Sequence, residues 1–217
     1  MKPAAIIPAY NEETTIVQVI EPLLASSYVG EVVVVSDGST DATAERARQA
    51  GARVVELDAR QGKGAAMLRG VGETEAPIVC FFDADLIGLT TDHVEQLVLP
   101  VSSGSRIMNV GLRDKGPIGT LIAKHLPLIG GERVMLRQVI EGVDPKFLQG
   151  YMVESALNYY CRSRGYAYGA VILRGLTMRR KYEKVGVLRG VIQYVKMFSE
   201  VGMAVIAVRV ARLKGVF

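Results

Sequence analysis

Short apolar runs, β-branched or aromatic, recur at residues 4–7, 31–36, 53–57 and 78–82. Near-continuous apolarity of this kind predicts strands buried on both faces. The stretches between them, 12–26, 41–50 and 64–70, carry enough Ala, Glu, Arg and Gln to read as helices, with Asp41 placed to cap the second. Strand then helix, repeated, predicts an α/β fold around a mostly parallel sheet flanked by helices. A helix-like segment at 91–99 follows, and after it Gly and Pro punctuate a mixed pattern through Gly150, which reads as substrate loops. A helix at 151–164, a strand at 166–173 and a helical tail from about residue 182 complete the pattern.

Composition narrows the class. With 217 residues, 49% hydrophobic and 22% charged, the chain suits one domain or one domain with a short appendage, and it is too apolar to be disordered. Cys80 and Cys161 have no paired spacing, so neither a disulfide framework nor a zinc knuckle is indicated, and a reducing, cytoplasmic setting is expected. The first residues lack the apolar stretch of an export signal, and the apolar run 201–208 falls far short of the roughly 20 residues of a spanning helix. Charge divides unevenly: residues 1–173 are net −4 and residues 174–217 net +8. The basic tail suits an anionic partner, phosphate groups or lipid heads, and equally suits a solvated helix face. Nucleic acid is a poor partner, because the body is acidic and lacks a basic aromatic face.

In an open parallel sheet, ligands collect at the carboxyl ends of strands, and three such ends are rich in polar groups. The first reads Pro8-Ala9-Tyr10-Asn11-Glu12, the second Ser36-Asp37-Gly38-Ser39-Thr40-Asp41, the fourth Asp83-Ala84-Asp85. On an extended segment Asp83 and Asp85 point the same way, and two carboxylates favour a hard cation such as magnesium or manganese; a polar strand end with a helix cap is the plainer reading. Asp37 can accept from a base N–H, with Gly38 letting backbone approach a flat ligand, or it can serve a turn. Gln61-Gly62-Lys63-Gly64 joins a mobile backbone to a cation able to meet base or phosphate, without the glycine run of a Walker loop. His93 and His125 have no local ligand partners, and neither thiol has an activating neighbour.

Taken in order, residues 6–13, 35–41, 62–64 and 82–85 resemble the nucleotide-binding half of family 2 glycosyltransferases with the GT-A fold. The resemblance implies a nucleoside-diphosphate-sugar donor, with Pro8, Tyr10, Glu12, Asp37, Gly62 and Lys63 holding the nucleoside. Asp83 would then meet the ribose or the metal, and Asp85 the metal, Mg²⁺ or Mn²⁺. Residues 117–190 are similar to a narrower branch, the glucosyl-3-phosphoglycerate synthases and their shorter bacterial relatives. That likeness rests on residues 127–133, which include Gly131, Glu132 and Arg133, and on Tyr151-Met152-Val153-Glu154. It implies that Glu154 lies near the transferred sugar. Where that branch often carries a metal-binding histidine after Gly-Leu-Thr, this chain has Met178, a soft thioether that suits magnesium poorly. Arg179, Arg180 and Lys181 follow, a cluster suited to donor phosphates or an anionic acceptor.

These likenesses imply a GT-A catalytic domain over 1–173, with a nucleotide-binding half to residue 90, an acceptor half from 91, and a basic helical extension over 174–217. The expected chemistry is attack of an acceptor hydroxyl or phosphate oxygen on the anomeric carbon. Inversion needs a base beside the acceptor, for which Glu154 is best placed; retention needs none. The acceptor is read as a small phosphorylated acid or a polyprenyl phosphate at the inner membrane face, reached through the basic tail. Apolar tail residues can alternatively pack on the domain or in a homodimer. A module that binds the nucleotide sugar with weak or lost catalysis, or a sugar-phosphate nucleotidyltransferase, are the competing functions.

Overall fold

The computed structural model describes residues 2–113, 130–150 and 152–178. A seven-stranded sheet runs through it in the order β3-β2-β1-β4-β7-β6-β8. The strands are β1 (Ala4–Ala9), β2 (Glu31–Asp37), β3 (Arg53–Leu57), β4 (Ile78–Phe81), β6 (Met108–Arg113), β7 (Arg133–Leu136) and β8 (Tyr168–Leu173). All neighbours pair in parallel except β7, which is antiparallel to both β4 and β6. A two-stranded ribbon, β5 (Leu86–Ile87) with β9 (Thr177–Met178), stands beside the sheet.

The alternation of side chains along each strand sorts the core onto two faces. Ile7, Val34, Cys80 and Val134 meet α1 (Ile16–Ala25) and α4 (Thr91–Ser102), with Ala47 of α2 (Thr43–Gln49) at the edge. Ile6, Val79, Phe81, Met108 and Met135 meet the other layer. That layer comprises α3 (Lys63–Gly72), α5 (Arg137–Glu141) and α6 (Met152–Ser163). Both faces are therefore covered, as the uninterrupted apolarity of β1, β2 and β4 requires.

The first four strands and first three helices follow the sequence pattern closely. Residues 100–150 do not: in place of loops alone they contribute β6 and β7 to the sheet. Polar residues disguise both strands. Asn109 is fully buried, and its amide donates to the carbonyls of Gln96 and Leu97 in α4. Arg133 is 1% exposed, and its guanidinium folds back onto the Gly130 carbonyl. Each polar group has hydrogen-bond partners in the core, although burial still opposes the Arg133 charge and pushes its pKa down.

Among the described residues no helix is long and apolar enough to cross a membrane. The helical tail expected from residue 182 lies outside the described residues, as does His125. Residues 174–178 turn back from β8, and the ribbon pairs Met178 with Leu86. His93, buried in the first turn of α4, holds this turn through Nε2, 2.9 Å from the Arg174 carbonyl oxygen.

Candidate functional site

The parallel strands end on one rim, and β7, running the other way, begins there. Residues following β1, β2 and β4 thus share that rim with residues preceding β7.

At the nucleoside end two loops are stitched together. The Thr40 N–H donates to Asn11 Oδ1 (2.8 Å), the Asn11 N–H to Ser39 Oγ (3.2 Å), and the Glu12 N–H to Thr43 Oγ1 (2.8 Å). Asn11 takes φ 54°, a left-handed conformation that asparagine tolerates better than most residues. The N-cap of α2 is Ala42 and not Asp41 as expected, and Asp41, one residue earlier, accepts from the Thr43 N–H. Pro8, Tyr10 and Glu12 are partly buried along this edge, and the Arg60 guanidinium lies 4.2 Å from the centroid of the Tyr10 ring.

Asp37 is buried at the end of β2, and its carboxylate accepts from the Gln61 N–H (2.6 Å) and the Gly62 N–H (2.8 Å). The loop before α3 is thereby pinned against β2, and Lys63 is delivered to the rim. Gly38 is required by this packing: at φ +68°, a Cβ there would meet the Arg60 nitrogen at 2.6 Å.

Lys63 Nζ reaches Asp83 Oδ1 at 2.6 Å and Glu154 Oε1 at 3.7 Å. Burial opposes the lysine's charge, but Asp83 and Glu154 outweigh it and push the ammonium pKa up. The same pairing holds Asp83 below the usual carboxylate range despite its burial. Asp83 and Asp85 do not share an extended segment: β4 ends at Phe81, and Ala84 and Asp85 form a turn into β5. Asp83 therefore faces Lys63 because of the end of β4, not because of strand alternation, while Asp85 sits partly buried in the turn.

Glu154, in the first turn of α6, is 9% exposed. Gly131 packs so closely on Asp83 that a Cβ would stand 2.1 Å from Oδ2. Glu132 is wholly buried, and neither carboxylate oxygen has a hydrogen-bond partner among the described residues. Burial, then the neighbouring Asp83 charge, push its pKa up to about 7, with Arg113 opposing them. Arg133 shapes the turn that carries Gly131 and Glu132 by donating to the Gly130 carbonyl at 2.8 Å. Arg179, Arg180 and Tyr151 lie outside the described residues.

Sequence reasoning missed Arg113, the last residue of β6, whose Nε lies 3.9 Å from Glu132 Oε2. A basic residue ending a strand is the signal that finds it, and that signal is invisible while β6 itself goes unread. Cys80 and Cys161 are buried free thiols whose pKa values burial pushes up, so nothing here supports thiolate chemistry. Among the described residues no three His, Cys, Asp or Glu side chains form a metal-binding group.

Comparison with known proteins agrees with this geometry. The family described as glycosyl transferase family 2 matches residues 4–160. The glucosyl-3-phosphoglycerate synthase of Mycobacterium tuberculosis is 33% identical over 174 residues, covering 74% of this chain and 53% of that protein. The 4,4'-diaponeurosporenoate glycosyltransferase of Staphylococcus aureus is 39% identical over 98 residues, covering 43% of this chain and 26% of that protein. The chain thus spans about half the length, or less, of these curated relatives.

Among solved structures, the M. tuberculosis synthase in complex with Mn²⁺, uridine diphosphate and phosphoglyceric acid superposes with a TM-score of 0.76 at 28% identity, covering 95% of this chain and 78% of that one. The same synthase with Mg²⁺ and uridine diphosphate also gives a TM-score of 0.76, at 27% identity, over 95% and 79% of the two chains. The α/β GT-A architecture expected from the motifs is the one found. Since the match runs from β1 into α6 and takes in every rim residue from Pro8 to Glu154, the chain belongs to glycosyl transferase family 2.

Proposed function

We propose that the protein transfers a hexose from a nucleoside-diphosphate sugar, UDP-linked by analogy with its relatives, to a small phosphorylated acid. The observation that carries this reading is the charge cluster of Lys63, Asp83 and Glu154, set beside the loop that Asp37 holds.

The nucleoside lies along the β1 and β2 ends, with Tyr10 and Asp37 beside the base. Both Asp37 oxygens already receive backbone N–H groups, so its first role is to fix the loop, and a base N–H would use a remaining lone pair. Lys63 is the cation nearest the rim carboxylates and moves from Asp83 toward the donor phosphates when they arrive. Glu154 accepts a hydrogen bond from the transferred sugar in a retaining reaction, or takes the acceptor proton in an inverting one; the anomeric configuration of the product separates the two.

The residues present fit a magnesium or manganese ion. Asp83 and Asp85 offer hard oxygen, and an octahedral ion commonly completes its shell with water and phosphate, so two protein carboxylates suffice without a third. Asp83 and Asp85 would hold it, Met178 would not, and the ion would offset diphosphate charge on the leaving group. Lys63 pairs with Asp83 at 2.6 Å, so a positive charge already has a place there.

A polyprenyl phosphate presented at a membrane, with the basic residues beyond 173 as the contact, is the second acceptor reading, and its support is the +8 net charge of residues 174–217. A homodimer through the apolar residues of that stretch accompanies it. Binding without catalysis is the competing function, favoured by Met178.

The test is hydrolysis and transfer of UDP-glucose with Mn²⁺ or Mg²⁺, with phosphoglyceric acid or a polyprenyl phosphate on vesicles as acceptor, against Asp85→Ala. Turnover that requires metal and Asp85 is expected. Tight donor binding with no hydrolysis and no transfer to either acceptor would establish the binder instead.

A further inference from the structure

Arg113 ends β6, on the side of Asp83 away from Asp37 and the nucleoside. In the sheet order, β2 and β1 lie to one side of β4, and β7 and β6 to the other. Two contacts and its exposure define its place. Its Nε is 3.9 Å from Glu132 Oε2, its Nη1 reaches the Met178 sulfur, and its side chain remains 24% exposed. Its charge also helps, after Lys63, to lower the Asp83 pKa.

Glu132 explains why Arg113 is there. A carboxylate with no exposed surface and no hydrogen bond among the described residues is costly to bury. Buried polar groups left in this state call for a functional account. Glu132 is too far from Arg113 for a good hydrogen bond, yet it is the only described oxygen that pairs with it. Met178 presents a soft, weakly accepting sulfur to the other side of the guanidinium. The fork is thus oriented by one carboxylate and one thioether, and among the described residues it meets no stronger acceptor.

We propose that Arg113, positioned by Glu132 and Met178, binds the phosphate or carboxylate of the acceptor on the far side of Asp83 from the nucleoside. This rests on the glycosyl-transfer reading above and adds to it a residue that selects an anionic acceptor. Glu132 is then a positioning residue: it directs the fork and balances its charge while no acceptor is bound. A planar guanidinium recognises phosphate and carboxylate through paired N–H donors, which a lysine at the same place does less well.

The oxyanion that Arg113 meets belongs either to the acceptor or to the donor diphosphate, and binding experiments distinguish the two. UDP binding is measured first, by calorimetry with Mn²⁺ at about pH 8, and phosphoglyceric acid is then titrated into the UDP-loaded protein. Arg113→Ala is expected to weaken phosphoglyceric acid by at least about tenfold and to leave the UDP affinity within about twofold. Arg113→Lys falls between, because charge is kept and the fork lost. Glu132→Gln weakens the acid several-fold without lowering the melting temperature, an outcome that a purely structural role would not give.

Unchanged acid binding in Arg113→Ala overturns the assignment, as does an equal loss of UDP, which would place the residue on the donor. Should Arg113→Ala fail to fold, the lysine and glutamine variants decide by the same criteria. Wild-type protein that binds UDP but not phosphoglyceric acid overturns the inference and leaves the donor reading standing. Wild-type protein that does not bind UDP overturns the glycosyl-transfer reading itself.

Discussion

Lys63 Nζ lies 2.6 Å from Asp83 Oδ1, so a lysine delivered by a glycine-flanked loop neutralises the carboxylate that ends β4. The contact joins the loop after β3 to the rim before β5, and it depends on Asp37 holding that loop by two backbone N–H groups. The two relationships together order the site.

Lys63→Met leaves Asp83 beside Glu132 and Glu154 with its nearest cation removed. Breaking a buried pair by deleting one partner costs about 3–5 kcal/mol, and the partial exposure of Lys63 reduces this to about 1–3 kcal/mol. Urea denaturation in EDTA should report that loss, and added Mn²⁺ should restore part of it. Transfer should fall by about a hundredfold, read from UDP release.

Asp37→Asn turns one of two accepting oxygens into a donor that faces a backbone N–H. The unmatched contact costs about 1–3 kcal/mol. UDP affinity should drop at least about tenfold by calorimetry, because the loop bearing Gly62 and Lys63 is released. An affinity equal to wild type would mean that Asp37 neither fixes the loop nor meets the base.

Gly131→Ala puts a methyl group 2.1 Å from Asp83 Oδ2, where one of them must move. Overpacking of this kind costs about 1–3 kcal/mol, and the displaced carboxylate is the one whose other oxygen, Oδ1, pairs with Lys63. The expected result is a clear fall in the transfer rate together with weakened Mn²⁺ binding, followed by electron paramagnetic resonance.

Glu132 gives the protein a pH dependence whose sign is fixed. Its folded pKa, about 7, lies above the ordinary value of 4.5, so the folded state holds the proton more tightly. The stability this contributes is complete below about pH 4.5 and is lost as pH rises through about 7, amounting to about 3 kcal/mol at most. In EDTA, Glu132→Gln should therefore melt higher than wild type at about pH 8 and show little difference at about pH 4. A glutamine variant that melts lower at the alkaline end would show that the ionised carboxylate is well compensated.

The donor half of the site was legible because its strands are pure apolar runs and each stops at a polar cluster. Ile6 and Ile7 fall on opposite faces of the sheet, yet both are buried, so the run signals a central strand directly. The other half was not legible, for a physical reason. Asn109 lies within β6 and Arg133 begins β7, and their place in the core depends on partners that the fold brings to them, among them the carbonyls of Gln96, Leu97 and Gly130 and the Asn158 side chain. No local pattern encodes those partners. Without β6, Arg113 reads as one more surface cation. Without β7, the antiparallel entry that sets Gly131 against Asp83 is invisible.

That reversed strand has a further consequence. Because β7 alone bridges β4 and β6, the two portions of the sheet share one strand and cannot be divided into separately stable modules. A fragment severed after residue 113 would expose the bare side of β4, with its unsatisfied amides and carbonyls, to any passing chain. The cleft exists only in the uncut polypeptide, and misassembly is the penalty for interrupting it.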